Sequence, residues 1–313
     1  MNKKNILITA AGSGTAFAYC QSIAKNFPSL RLITADTNPK KLTTSSLFAD
    51  EHILLSPFKE NEYLSVINSL IDKYKIDFYI PIIDTEICFV SQNIDDIPCN
   101  VIVNSAGFCQ AAVNKSEYDS LLENSVLKMP RKIEYDEYRH SKKAVAKKDK
   151  SFGGHAVLIK NNQKEYNDLD GAWHFYEYID GSEFTVDCFP IKDISSKVIT
   201  SVRQRIEIKS GVCTKAKITN DDILAQFASE LANKYDLTHP FCFQTRFNHE
   251  HYLIDINPRL GAGSLMSAMN GLDFFSAHIA SLIGDDPLIY LKPMYKECIV
   301  TRQYADYLMG TFT

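Results

Sequence analysis

No Cys-x-x-Cys pair, no tight cysteine cluster and no apolar run of the ~20 residues a membrane span needs occurs in the 313-residue sequence. The eight cysteines (Cys20, Cys88, Cys99, Cys109, Cys188, Cys213, Cys242 and Cys298) are scattered singly, so neither a zinc site nor a disulfide framework has its spacing. Most stand among apolar neighbours, as in Phe241-Cys242-Phe243, where a thiol acts as a small buried hydrophobe. A charge excess is missing too. The 34 basic and 38 acidic residues leave a net −4, which argues against extended nucleic-acid binding but is compatible with a local basic pocket. With no membrane span, and with Met1-Asn2-Lys3-Lys4-Asn5 feeding a short strand instead of a signal peptide, the expected compartment is the cytoplasm.

What is present is enough apolar sequence for two or three lobes, 45% of residues being hydrophobic. Up to Asn104, short apolar runs (Ile6 to Ala10, Leu30 to Ala35, Ile53 to Leu55, Phe78 to Ile83, Val101 to Asn104) alternate with helical patterns at 14 to 26 and 62 to 74. That alternation predicts a doubly wound parallel α/β domain over residues 1–113. Beyond Asn114 strands outnumber helices. Eight segments between Lys143 and Asn257 have β character, and helices are expected only near 115 to 125, 221 to 235 and 272 to 283, a pattern of α+β type dominated by antiparallel sheet.

The turn Ala10-Ala11-Gly12-Ser13-Gly14 joins a strand to a helix, with Asp36 ending the next strand. Alone it is a partial dinucleotide fingerprint and makes an NAD-dependent oxidoreductase the rival reading. Phe17, however, stands where the third glycine belongs and is too bulky for close helix–strand contact.

The second half carries a denser constellation. Strand-like runs flank the polar turn of Gln244-Thr245-Arg246-Phe247-Asn248-His249-Glu250-His251-Tyr252-Leu253-Ile254-Asp255-Ile256-Asn257, which reads as a hairpin. If His249 and Glu250 form the turn, Gln244 lies opposite Asp255, and Asn257 shares the face of Asp255. Three hard oxygen-bearing side chains with one full carboxylate suit Mg²⁺ that takes its other ligands from phosphates and water. Ile254 and Ile256 are expected on the opposite, buried face. Arg259 and the run Gly261-Ala262-Gly263-Ser264 follow and would add a guanidinium and exposed amides.

This run, "DINPRLGAGS" preceded by "FQTRF", resembles the metal-binding segment of the ATP-grasp superfamily. The likeness extends backward through "NKSEYDSLL" at 114 to 122, "AVAKKDKSFGGHAV" at 144 to 157 and "HFYEYIDGSEFTVDCF" at 174 to 189, and covers most of the chain. Among members it is most similar to the carbamoyl phosphate synthetase-like carboxylate–amine ligases, and less so to D-alanine:D-alanine ligase and biotin carboxylase. The resemblance implies an ATP-grasp fold after the α/β domain, with a small lid subdomain at 114–179 and an antiparallel-sheet subdomain at 180–313. It implies ATP and Mg²⁺, with Mn²⁺ as an alternative, held at a metal site of Gln244, Asp255 and Asn257.

Lys115 and Lys147 would meet the phosphates; Ser151, Gly153 and Gly154 would form a covering loop; Glu177, Tyr178 and Ile179 would meet the adenine; Glu183 would meet the ribose. Arg205, sharing a strand face with Arg203, and Arg259 would join Lys147 as catalytic cations. Asp255 stands where the family usually has glutamate, and Lys148 where a proline usually follows the phosphate lysine. The implied activity is a carbon–nitrogen ligase acting on small-molecule carboxylate and amine substrates, with neither nucleic acid nor membrane as partner and a homodimer as a compatible assembly. Gly12 to Thr15 and Asp84-Thr85-Glu86 are candidate acceptor linings. A third reading is an ATP-binding regulatory protein with a degenerate site.

Overall fold

The computed structural model describes residues 3–148, 157–160, 173–191, 197–209 and 211–310, apart from the side chain of Ser116. Its first lobe holds five parallel strands: β1 (Asn5–Ile8), β2 (Arg31–Asp36), β3 (Glu51–Leu54), β4 (Phe78–Ile80) and β5 (Asn100–Val101). Their order, β3-β2-β1-β4-β5, is that of a doubly wound sheet, with the chain reversing direction beside β1. Helix α1 (Gly14–Asn26) starts where Ser13 accepts the Ala16 amide at 3.1 Å, an N-cap of the usual kind. Helices α2 (Glu60–Tyr74), α3 (Asp84–Gln92) and α4 (Ala106–Val113) complete the cover. The sequence pattern did not suggest the last two. Asp84 and Glu86, named above as candidate acceptor linings, sit in the first turn of α3.

The helix expected at 115 to 125 is shorter, a 3₁₀ turn at Lys115–Glu117 running into α5 (Tyr118–Leu121). After it come β6 (Lys132–Ile133), α6 (Tyr135–His140), β7 (Ala144–Lys148), β8 (Val157–Lys160) and β9 (Trp173–Glu177), forming a four-stranded antiparallel sheet in the order β6-β9-β7-β8. A six-stranded antiparallel sheet follows, in the order β14-β13-β10-β11-β12-β15. Its strands are β10 (Ser182–Pro190), β11 (Val198–Lys209), β12 (Val212–Thr219), β13 (Phe241–Asn248), β14 (Glu250–Asn257) and β15 (Cys298–Thr301), an edge strand the sequence pattern did not suggest. Helix α7 (Asp222–Tyr235) packs Leu224, Phe227 and Leu231 into its core, and α8 (Leu265–Ala268) and α9 (Phe274–Ile283) close the chain back onto the first lobe.

The lobes share a core. Ile6, Ile8, Ala16 and Tyr19 belong to the same buried cluster as Leu260, Phe274, Phe275 and Ile279. Ser22 and Ser276 meet at 2.6 Å across it, so α1 and α9 are joined by polar as well as apolar contact. No helix among the described residues is long and apolar enough to cross a membrane.

Candidate active site

A cavity of about 550 Å³ opens between the four-stranded and six-stranded sheets, with Asp84 of the first lobe at its border. Its floor is one face of the six-stranded sheet. There Thr185 pairs with Arg203 on one side and Gln244 on the other, and Gln244 pairs with Asp255. Two residues along, roughly 7 Å at the usual strand rise, Glu183 pairs with Arg246.

The expected Gln244–Asp255 pair is present, but by a different route. Asn248 pairs directly with Glu250 around His249, whose φ is 63°, so the turn is one residue tighter than the expected His249–Glu250 turn. That would slip every later pair by one residue. A bulge at Ile254, where the register jumps from Thr245–Leu253 to Gln244–Asp255, cancels the slip. Leu253 and Ile256 therefore face the core, while Ile254, expected there, lines the cavity instead. Asn257 lies beside Asp255 as expected, its Nδ2 donating to Oδ2 at 3.2 Å.

The bulge also exposes a carbonyl. Lys147, 5% exposed, donates its Nζ to the Ile254 carbonyl at 2.7 Å and lies 5.3 Å from the Tyr176 ring centroid. Burial, then the nearby Lys115 charge, pulls its pKa down to about 8, against the opposing pull of Asp255. Lys115 Nζ itself donates to Asp255 Oδ1 at 3.1 Å.

At the other end, Glu177, Tyr178, Ile179 and Glu183 line the cavity together. The Glu177 carboxylate is turned to the Arg131 amide, 2.9 Å away. Glu183 is held between two arginines, hydrogen-bonded to Arg205 and 3.3 Å from Arg246. Arg246 also donates to the Tyr178 hydroxyl at 2.6 Å and the Ile179 carbonyl at 3.0 Å. It was not among the expected site residues, although its alternation with Gln244 on β13 was readable. Arg205, expected as a catalytic cation, is thus already paired with Glu183, and its sheet neighbour Arg203 is withdrawn altogether. Arg203 is 2% exposed and bidentate to the fully buried Asp187, with both contacts at 2.8 Å.

Arg259 lines the cavity but reaches into the first lobe. Its Nε donates to the Ile82 carbonyl at 2.6 Å, and its guanidinium lies 2.9 and 3.1 Å from the Asp84 carboxylate oxygens. Burial raises the pKa of Asp84, against the lowering effect of Arg259. The small-residue run that follows is wedged between lobes and does not line the cavity, contrary to expectation. Ala262 packs on Gly14, Gly263 lies on the Arg203 guanidinium, and Ser264 donates to Asp187 at 2.6 Å. The expected loop residues Ser151, Gly153 and Gly154 lie outside the described residues.

The N-terminal glycine turn, basis of the dinucleotide reading, is internally satisfied. The Gly12 amide donates to Asp36 at 2.7 Å, Ser45 caps the Ala11 carbonyl at 2.5 Å, and Phe17 packs on Phe48 and Tyr307. Among the described residues no three His, Cys, Asp or Glu side chains come together as a metal cage.

Residues 6–102 match the family model of the PylC-like N-terminal domain, and residues 172–302 match that of ATP-grasp in the biosynthetic pathway with Ter operon. No curated protein matches the sequence. Among solved structures, the chain is similar to N5-carboxyaminoimidazole ribonucleotide synthetase from Thermotoga maritima, at 14% identity over 93% of this chain and 78% of that one, TM-score 0.67. An L-amino acid ligase from Bacillus licheniformis gives 14% identity over 94% and 78%, TM-score 0.69. The biotin carboxylase domain of Hydrogenobacter thermophilus 2-oxoglutarate carboxylase, solved with MgADP, ADP and bicarbonate, gives 11% identity over 91% and 71%, TM-score 0.70. A parallel first lobe and two antiparallel sheets with a cavity between them give this chain the fold of these structures, and the ATP-grasp family model matches its residues 172–302.

Proposed function

We propose that the protein is an ATP-dependent carboxylate–amine ligase. The observation that carries this reading is the meeting of Gln244, Asp255 and Asn257 on one sheet face with Lys115 and Lys147 in the same cavity. Oxygen donors with a single carboxylate fit Mg²⁺ that would draw its other ligands from phosphates and water. When bound, the ion supplies neutralisation of charge on the terminal phosphates.

The chain's own groups would do the rest. Lys115 and Lys147 hold phosphate oxygens, the backbone at Glu177 to Ile179 meets the base, and Glu183 meets the sugar. Arg259, tied to Asp84 at the lobe junction, faces the incoming carboxylate. A carboxylate oxygen attacks the γ-phosphorus, the bond to the ADP oxygen breaks, and an acyl phosphate forms. The amine nitrogen then attacks the acyl carbon, loses a proton and expels phosphate to leave an amide. Positioning and charge stabilisation suffice, with no covalent enzyme nucleophile.

The test is phosphate release from Mg·ATP against a library of carboxylates paired with amines. Release that needs both partners, and that Asp255→Ala abolishes, supports the ligase. Nucleotide binding without turnover for any pair supports the regulatory reading. NAD binding that is indifferent to Asp255→Ala would revive the oxidoreductase.

A further inference from the structure

We propose that Lys115 is a built-in counter-ion of the Asp255 site: it holds the carboxylate until nucleotide phosphates draw it off, so that a divalent cation is admitted only together with nucleotide. The inference rests on the metal and nucleotide reading above and adds an order of binding to it.

The starting point is that the one full carboxylate of the proposed metal site is engaged on both oxygens. Lys115 Nζ lies 3.1 Å from Asp255 Oδ1, and Asn257 Nδ2 lies 3.2 Å from Oδ2. The lysine side chain is 13% exposed and the aspartate 29%, and both line the cavity. An ammonium in this position neutralises the charge that would attract a metal. For Asp255 and Asn257 to share one ion, Lys115 has to withdraw, and the Asn257 amide has to turn its oxygen inward, because an NH₂ group donates and does not ligate.

The backbone of Lys115 is fixed beside Asp255 by a separate contact. Lys115 opens the 3₁₀ turn that runs into α5, and Tyr118, fully buried at the start of α5, ties that turn to β14. Its hydroxyl accepts the Ile256 amide at 3.0 Å and donates to the Ala112 carbonyl at 3.0 Å. The flexible four-carbon stem then lets the ammonium swing from carboxylate to phosphate while its base stays in place.

Charge argues for the same order. At this end of the cavity the described residues set Lys115, Lys147 and Arg259 against the carboxylates of Asp84 and Asp255. A divalent cation arriving alone would meet that positive excess at short range, where like charges repel strongly. A nucleotide reverses the balance. Its phosphate oxygens give Lys115 a new acceptor and surround the ion with negative charge.

The experiment titrates Mn²⁺ into the full chain without nucleotide, followed by electron paramagnetic resonance, and Mg·ATP into the same protein by calorimetry. The wild type should take up Mn²⁺ alone at least about tenfold more weakly than Lys115→Met, which removes one unit charge close to the ion and keeps the length of the side chain. Lys115→Arg, which keeps the charge, should exclude Mn²⁺ as the wild type does. Lys115→Met/Asp255→Asn should lose what Lys115→Met gained. Because the readout is a gain of binding, misfolding of a variant cannot mimic it. Equal Mn²⁺ affinity in the wild type and Lys115→Met overturns the inference alone, whether both bind or neither does. So does a gain that survives Asp255→Asn, which would put the ion at another site, or a Lys115→Arg variant that admits Mn²⁺ as Lys115→Met does, which would make shape and not charge the barrier. Failure of the wild type to bind Mg·ATP overturns the nucleotide reading, and this inference with it.

Discussion

Lys147 is held by a carbonyl and an aromatic ring, and burial, then the neighbouring Lys115 charge, brings its pKa down to about 8 against the pull of Asp255. The ammonium is protonated below about pH 8 and neutral above it. A bound polyphosphate favours the charged form, so nucleotide affinity should hold steady up to about pH 8 and fall as pH rises further, because binding must then take up a proton. Lys147→Arg should flatten that decline, and Lys147→Met should weaken binding at neutral pH by roughly tenfold or more. Titrations across the pH range check both, and a wild-type affinity that is level through the alkaline arm would contradict the assignment. Folding carries the opposite trend. The unfolded lysine keeps its proton to about 10.4, so above about pH 8 the unfolded chain binds more protons and stability rises with pH, an increment Lys147→Met should lack.

The family resemblance singled this residue out, whereas strand alternation placed Asp255 and Asn257 on one face, since a period of two assigns side chains to faces without knowledge of the fold. Asp84 and Arg246 draw their surroundings from distant elements. Asp84 meets Arg259 and Arg246 meets Glu183 and Tyr178, pairings that no local period encodes.

At the scale of the element, the hairpin shows how a right pair can come from a wrong turn. Its one-residue slip and its bulge at Ile254 cancel, and only side-chain environment betrays them, by placing Ile254 in the cavity. Helices α3 and α4 escaped notice for another reason. The α4 sequence AGFCQAAV is small and apolar on nearly every side, so it has no polar face to mark a helical period.

The tip of the same hairpin imposes a strict demand on Gly181, which enters β10 with φ +142°, a conformation unsuited to L side chains. A Cβ there would lie 1.9 Å from the Phe247 carbonyl oxygen. Gly181→Ala should therefore destabilise the protein by about 2–4 kcal/mol. It should also disturb Glu183, two residues on, so nucleotide affinity should fall alongside the urea midpoint. A substitution with the midpoint unchanged would mean that the β10–β13 contact is looser than the structure shows.

For the molecule as a whole, the question is what couples the lobes at the cavity border. Apolar contact is generous, with α1 and α9 in one core, and Asn104 adds hydrogen bonds to the His239 amide at 3.0 Å and its carbonyl at 3.1 Å. Arg259 is different in kind, because it joins a cavity residue to the Ile82 carbonyl and the Asp84 carboxylate of the first lobe. Burial already raises the pKa of Asp84 while Arg259 resists that rise. Removing the guanidinium in Arg259→Leu should push the carboxyl further upward, with only the weaker pull of Lys115 left against burial.

The cost at neutral pH should be about 2 kcal/mol, below that for fully buried pairs, because the two side chains keep 23% and 22% of their surface exposed. Its pH dependence follows from the sign of the shift. A folded-state pKa above the unfolded one means that the folded state holds the extra proton, so stability is lost as pH climbs from about 3.9 through the folded value. Arg259→Leu should steepen that loss, and Asp84→Asn in the same chain should remove it, since an amide has no proton to release. Urea unfolding at several pH values across the acid range measures all three slopes. Should Arg259→Leu and Arg259→Leu/Asp84→Asn unfold in parallel at every pH, the guanidinium would be acting through the Ile82 carbonyl alone, and the coupling between the lobes would be one of shape instead of charge.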